Sequence, residues 1–392
     1  MSINNWFQKA SLRFLFACLT FFLVQCGKKE KTYENGDRRK TDNSKIVKYA
    51  SGFEVLKDSS YTIVNVFYPN NRQKVLYKYL LTPRGKKRPE GFNDAILIET
   101  PIRSFIALST MYVAYAEELN VLDQLKGISE LQYVNSKKVL QKHAENKIID
   151  LGTNTALNIE RIFALKPEII VCYTYGNSEY EVHPKLYQAG MPLAVHAEQL
   201  ETHPLGRMEW IKFFALLFEK EKQADSLFEL TERNYYKIRN IGSKAKTLPT
   251  VFTDIKYGDT WFMPGGRSFL ATLLKDAHTR YIWAADTNKG SIPLSFEAVY
   301  EKAHNADYWI NLSDWHSQSE ILQSDARYKK FKAFQTGNLF NYNNRVNANK
   351  GNDFWESGML HPDWILADLV KIFHPEVLPS HELVYYKKIY ND

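Results

Sequence analysis

The chain has 392 residues, 44% hydrophobic, 14% aromatic and 24% charged, which is enough apolar material for one or two cores and excludes a disordered tail. Most of the formal charge of +7 sits in Met1–Lys48, so the rest is nearly neutral and lacks the clustered basic face that nucleic acid requires. At roughly 150 residues per domain, a two-lobed globule is expected.

Lys9 and Arg13 precede the apolar run Phe14–Val24. At about 1.5 Å per residue that run is too short for a bilayer core of about 30 Å, so residues 1–25 read as a signal peptide. It closes on Leu23-Val24-Gln25-Cys26-Gly27, which resembles a bacterial lipoprotein signal with Cys26 as the lipidated first mature residue. Gln25 stands where a small residue is usual, and ordinary secretion with cleavage nearby is the alternative. Residues 26–60 follow as a flexible tether, on the strength of the polar stretch Lys28–Ser51. Cys18 leaves with the signal, so Cys172 is the only thiol of the body. It lies within the strand-like run Ile169–Tyr173 and reads as a small core residue.

Residues 61–93 read as a hairpin and a basic turn: Tyr61–Tyr68, the turn Pro69-Asn70-Asn71, Val75–Leu81, then Pro83–Pro89. Short apolar runs then alternate with helical patterns, namely Phe105–Leu108, Met111–Leu119, Ile169–Tyr173 and Leu193–Val195, which argues for a parallel α/β lobe over 94–203. Between Pro204 and Ile241 apolar residues recur every three or four positions without proline, predicting one long linking helix over 204–243. A second α/β lobe is expected over 244–375, with strands at Thr250–Ile255 and Tyr308–Leu312, helices at Ser268–Lys275 and Pro362–Phe373, and a tail over 376–392. The expected fold is therefore α/β, two Rossmann-like lobes joined by a single rigid helix with a ligand cleft between them.

The two halves echo each other. Asn158-Ile159-Glu160 opens a short helix leading to the strand at Ile169, and Ser295-Phe296-Glu297 opens another leading to the strand at Tyr308. A Glu in a first helical turn also complements the macrodipole and needs no further role. The segment Leu157–Val171, however, resembles the motif N-x-E-x-[IL]-x-x-L-x-P-D-[LI]-[IV], with Glu168 in place of the usual Asp. On this motif the chain, over roughly Ile96–Phe373, is similar to the periplasmic substrate-binding proteins of ABC importers for cobalamin, ferric siderophores and haem. The resemblance implies that Glu160 and Glu297 dock into arginine pockets on the two permease subunits. It implies a lipid-anchored, extracytoplasmic monomer partnered by an ABC permease dimer with its ATPase. It implies no covalently bound cofactor and a metal chelate as the transported ligand.

Ligands of α/β sheets bind beyond the carboxyl ends of the strands. The loops expected there are aromatic and carry cations, which suits a large planar or bulky ligand with acidic groups. The candidate ligand-binding residues are Ser109, Thr110, Tyr175, Trp261, Arg267, Trp315, Arg345 and Trp355. A bare Zn or Mn ion on His196, His203 and His316 is the alternative within the same fold. A secreted lipoprotein hydrolase is the rival from another class, although no G-x-S-x-G, H-E-x-x-H or Walker motif occurs.

Overall fold

A computed structural model describes residues 46–176 and 183–390. The signal peptide, Cys26 and most of the tether lie outside the described residues. Part of the stretch 26–60, expected as a flexible tether, is built into the fold. The successive amides of Lys48, Tyr49 and Ala50 donate to the Glu209 carboxylate at 2.8, 2.7 and 2.8 Å, and those of Ser51 and Gly52 donate to Glu201 at 2.9 and 2.8 Å. Two buried carboxylates thus fix the backbone of this segment, while Ala50 joins the core and Tyr49 stacks on His203.

A four-stranded sheet follows: β1 (Phe53–Lys57), β2 (Thr62–Tyr68), β3 (Asn71–Pro83) and β4 (Ile96–Thr100), in that order. β2 and β3 pair antiparallel around a tight turn in which Asn70 adopts φ 59°, a left-handed conformation asparagine tolerates.

The first lobe runs β5 (Phe105–Ala107), α1 (Met111–Glu118), β6 (Leu125–Ile128), α2 (Lys137–Ala144), β7 (Ile149–Asp150), the small hairpin β8 (Gly152–Thr153) and β9 (Ala156–Leu157), α3 (Ile159–Leu165), β10 (Ile169–Tyr173), α4 (His183–Gln188) and β11 (Leu193–His196). Its five-stranded sheet has the order β11-β10-β5-β6-β7 and is parallel throughout. β5, β10 and β11 read as continuous apolar runs because helices and neighbouring layers cover both faces, and Cys172 is buried among them.

The expected single linking helix is instead three: α5 (Pro204–Glu209), α6 (Ile211–Leu216) and α7 (Glu221–Gly242). The chain breaks at Trp210 and again before α7, where Glu219 takes φ 55°. The apolar spacing carries through both breaks, so periodicity alone cannot reveal them.

The second lobe runs β12 (Thr250–Thr253), β13 (Lys256–Tyr257), β14 (Thr260–Pro264), α8 (Phe269–Asp276), β15 (Arg280–Tyr281), β16 (Ser291–Leu294), α9 (Phe296–Ala303), β17 (Tyr308–Ile310), α10 (Gln318–Ser324), α11 (Lys332–Gln335), β18 (Leu339–Asn341), α12 (Pro362–Phe373) and β19 (Lys387–Lys388). Its main sheet has the order β15-β12-β17-β18-β19, parallel except for β19, with β13-β14-β16 forming an antiparallel flank. The segment expected as a tail is built into this lobe. Asp368 of α12, wholly buried, accepts the amides of Val384, Tyr385 and Tyr386 at 2.9, 2.7 and 2.9 Å, and both tyrosines are buried. Among the described residues no helix is long and apolar enough to cross a membrane.

Candidate functional site

Two hollows of about 700 and 720 Å³ lie between the lobes, and Gln199, Tyr342 and Trp355 line both, so they are the halves of one cleft. The walls come from the carboxyl ends of the parallel strands, as α/β topology dictates. In the first lobe Ser109 and Thr110 follow β5, Glu130 and Tyr133 follow β6, Asn154 follows β7, Tyr175 follows β10 and Gln199 follows β11. In the second, Asp254 follows β12, Asp314 and His316 follow β17, and Tyr342, Asn343 and Trp355 follow β18. Glu130, Asp254, Asn311, Ser313 and Lys350 all line the cleft with positive φ. Such strained turns collect where a loop must aim side chains at a ligand.

The structure brings Ser109, Thr110, Tyr175 and Trp355 to one hollow. The other four candidates stand elsewhere. Trp261 alternates inward on β14, is 0% exposed, and donates its Nε1–H to the Thr253 carbonyl at 3.0 Å inside the second-lobe core. Arg267 is exposed just ahead of the Ser268 cap of α8 and is not among the cleft-lining residues. Trp315 is half-buried, with its ring 6.0 Å from that of Tyr328. Arg345 is tied to Asp353 by an ion pair of 2.9 Å and lies over the Tyr385 ring.

Residues the sequence reading missed are mostly polar. Asn154 donates its Nδ2–H to the Leu108 carbonyl and to the Tyr173 hydroxyl at 3.4 and 3.3 Å, and Asn343 donates to the Trp315 carbonyl at 3.3 Å. Each leaves its Oδ1 buried without a partner among the described residues. Asn343 stands two residues beyond the parallel strand β18, a position that could have found it, whereas Asn154 lies in the turn of the antiparallel β8–β9 hairpin. Burial pushes the Asp254 carboxyl up to about 7, with the Thr253 hydroxyl opposing that shift at 2.7 Å.

The histidines that could have held a bare ion sit in unlike surroundings. His196 is fully buried, with its ring stacked 4.8 Å from Phe213, and burial lowers its pKa to about 3. His203 accepts the Leu205 amide at 3.1 Å as the cap of α5, and His316 faces Lys387 at 2.9 Å. Among the described residues no group of three or more His, Cys, Asp or Glu gathers in metal-binding geometry.

The lobes are tied together beside the cleft. The Glu356 carboxylate accepts the amides of Asn135 and Ser136 at 2.7 and 3.0 Å, and Asn347 Nδ2–H donates to the carbonyls of Gln132 and Val134 at 3.0 Å each. A Cβ on Gly351 would sit 2.1 Å from the Tyr133 carbonyl oxygen, so only glycine permits this approach.

Glu160 and Glu297 both occupy the second position after a helix cap. Asn158 accepts the Arg161 amide at 2.9 Å and Ser295 accepts the Ala298 amide at 3.2 Å, leaving both glutamates in first turns and exposed. Glu297 meets Arg327 at 3.1 Å, an ion pair in which the glutamate side chain stays 74% exposed.

Two parallel-sheet lobes enclosing a cleft at their strand ends define a two-lobed ligand-binding protein. The chain belongs to the periplasmic binding protein family, whose pattern it matches over residues 106–346. It is 29% identical over 371 residues to an uncharacterized lipoprotein of Methanocaldococcus jannaschii, covering 88% of this chain and 86% of that one. Its fold resembles a periplasmic heme binding protein of Pseudomonas aeruginosa, with a TM-score of 0.54 at 13% identity over 74% of this chain and 98% of that one. It also resembles an ABC-type Fe3+-hydroxamate transport protein of Saccharomonospora viridis, with a TM-score of 0.54 at 16% identity over 71% of this chain and 95% of that one.

Proposed function

We propose that this protein is the substrate-binding component of an ABC importer, capturing a metal chelate (a ferric siderophore, haem or cobalamin) and delivering it to a permease dimer with its ATPase. The carrying observation is the cleft: hollows of about 700 and 720 Å³ joined at Gln199, Tyr342 and Trp355. That space suits a bulky organic complex, since pockets for such ligands run to roughly 300–1,000 Å³. The scattered histidines speak against a bare ion. Relatives named for heme and Fe3+-hydroxamate share the fold, and the reading is of a binder and not an enzyme.

The test is the absorption spectrum and mass of whatever co-purifies with the chain, followed by titration with haemin, a ferric trihydroxamate and cobalamin through tryptophan fluorescence. Trp355 is 43% exposed at the junction of both hollows, so Trp355→Ala is expected to weaken the bound chelate by about 1–3 kcal/mol. A chain that binds none of the three would overturn the proposal.

Anchoring through a lipid on Cys26 completes the reading. Its supports are the signal resemblance and the lipoprotein name of the archaeal relative. Cys26→Ser is expected to give an unprocessed or soluble form on membrane fractionation. A mature-sized Ser variant still partitioning with membranes would remove the anchor.

A further inference from the structure

The charges of α7 and the segment after it are divided along their length. Residues 221–232 hold Glu221, Asp225, Glu229 and Glu232 against Lys222, whereas residues 233–249 hold Arg233, Lys237, Arg239, Lys244 and Lys246 and no acid. The helix macrodipole favours cations only in the last turn, so it does not account for Arg233 or Lys237. Arg233, Lys237 and Lys244 follow one another at intervals of four and seven, a single stripe of a 3.6-residue repeat, and all three are exposed. Phe228, Thr231, Tyr235 and Gly242 point the opposite way and are buried, the last with a Cβ position only 3.0 Å from Val370 of α12. The stripe is the solvent side of a helix whose other side is fixed in the core.

Lys48 joins this stripe from far away in the chain. With Arg233, Lys237 and Lys244 it borders an open hollow of about 750 Å³ whose lining holds one acid, Glu232. That acid is already engaged by the Lys48 ammonium and the Tyr49 hydroxyl. Of the other acids nearby, Glu229 lies 4.0 Å from Arg233 with both side chains about two-thirds exposed, and Asp276 takes Arg239 at 3.9 Å. The buried Asp363 and the exposed Glu382 belong to the neighbouring hollow that Lys237 also borders. Lys237, Lys244 and Lys246 form no ion pair among the described residues. No residue lining the basic hollow lines the cleft.

We propose that this face is where the protein lies against the anionic headgroups of the membrane that carries it. The proposal rests on the lipid-anchor reading above and adds a second contact to it. Cys26 stands 20 residues ahead of Ile46, a stretch that reaches at most about 70 Å when fully extended. The anchored end of the chain therefore meets the body at Lys48, on the rim of the basic hollow, and Gly27–Lys48 itself carries eight basic residues against four acidic ones. An anionic bilayer attracts such cations within about a Debye length of its surface, roughly 10 Å at 0.1 M salt. Leu248, 51% exposed beside Lys246, adds an apolar side chain that suits a lipid surface better than a free anion. The face contains no cleft residue and neither Glu160 nor Glu297, so contact here is compatible with ligand capture.

The test sediments the mature chain from residue 26, carrying Cys26→Ser so that no acyl chain contributes, with phosphatidylcholine vesicles that contain either none or about one-third phosphatidylglycerol. It is expected to partition onto the anionic vesicles only and to come off in about 1 M salt, where the Debye length shrinks to about 3 Å. Lys237→Gln combined with Lys244→Gln is expected to weaken that partitioning by about tenfold or more, since each cation near the surface counts several-fold. Lys86→Gln combined with Lys87→Gln removes the same charge from the exposed turn after β3 and should weaken it by no more than about twofold. All four lysines are exposed, so both double variants should keep the wild-type unfolding midpoint. Equal losses from the two pairs, or equal binding to neutral vesicles, would overturn the basic face. The anchor is judged separately by washing membranes that carry the wild-type chain in high salt: retention keeps the anchor whatever the vesicles show, and release removes it.

Discussion

Trp261→Ala is expected to lower the stability of the protein by about 3–5 kcal/mol, the range for removing a large aromatic from a packed core. The side chain is wholly buried, and its ring centre lies 6.1 Å from Phe252, 5.8 Å from Trp309 and 5.8 Å from Tyr328. Its loss opens a cavity and also strands the Thr253 carbonyl, which now accepts the indole N–H. Trp355→Ala, at a partly exposed site, should by contrast move the unfolding midpoint little. Chemical denaturation of both variants, paired with chelate titration, separates the two roles. A Trp261 variant of near-native stability with weakened binding would return that residue to the cleft.

The contrast between these two tryptophans shows how far one sequence reaches. Strand and helix alternation reveals layers because it depends on local periodicity, and Pro362–Phe373 is a helix over the same bounds in sequence and structure. The direction in which a loop residue points depends on partners far along the chain. Gly258-Asp259 forms a turn between β13 and β14, but the strand that follows pairs with β16, and its alternation sends Trp261 into the core. Arg345 carries charge as a cleft residue would, yet Asp353, eight positions later, takes it in an ion pair. The same limit hid the placement of Lys48–Gly52. It falls in the stretch expected as a tether, and only the fold brings Glu201 and Glu209 beneath it. It also hid the second-lobe role of Tyr385 and Tyr386, whose amides find Asp368 across a turn of unremarkable sequence. Asn154 and Asn343 escaped notice for a further reason. A cleft amide looks like any loop amide until its orphaned oxygen is seen.

Glu160 and Glu297 are expected to matter for transport and hardly at all for folding or ligand affinity. Each sits two residues after a capping side chain, in a first turn on a different lobe, with its carboxylate exposed. Equivalent placement on two pseudo-equivalent lobes is what a symmetric permease dimer can read, and the docking expected from the family resemblance would have each carboxylate meet an arginine through charge-assisted bonds. The partner of Glu297 in this structure, Arg327, is itself held by Asp325 at 2.8 Å, so Glu297 can exchange it for a permease arginine at little cost. Single Ala substitutions should therefore leave unfolding and chelate titrations nearly unchanged and reduce uptake by reconstituted vesicles several-fold. The double variant should lose about tenfold or more, because a two-point dock loses orientation along with affinity. Glu160→Arg or Glu297→Arg should be worse than Ala, since it sets like charges against each other. Arg327→Ala gives the internal control: it frees Glu297 without removing it, and uptake should hold or rise. Normal uptake by the Glu160→Ala, Glu297→Ala double variant would sink the docking role, and a large loss of chelate affinity would move these carboxylates into the business of ligand capture.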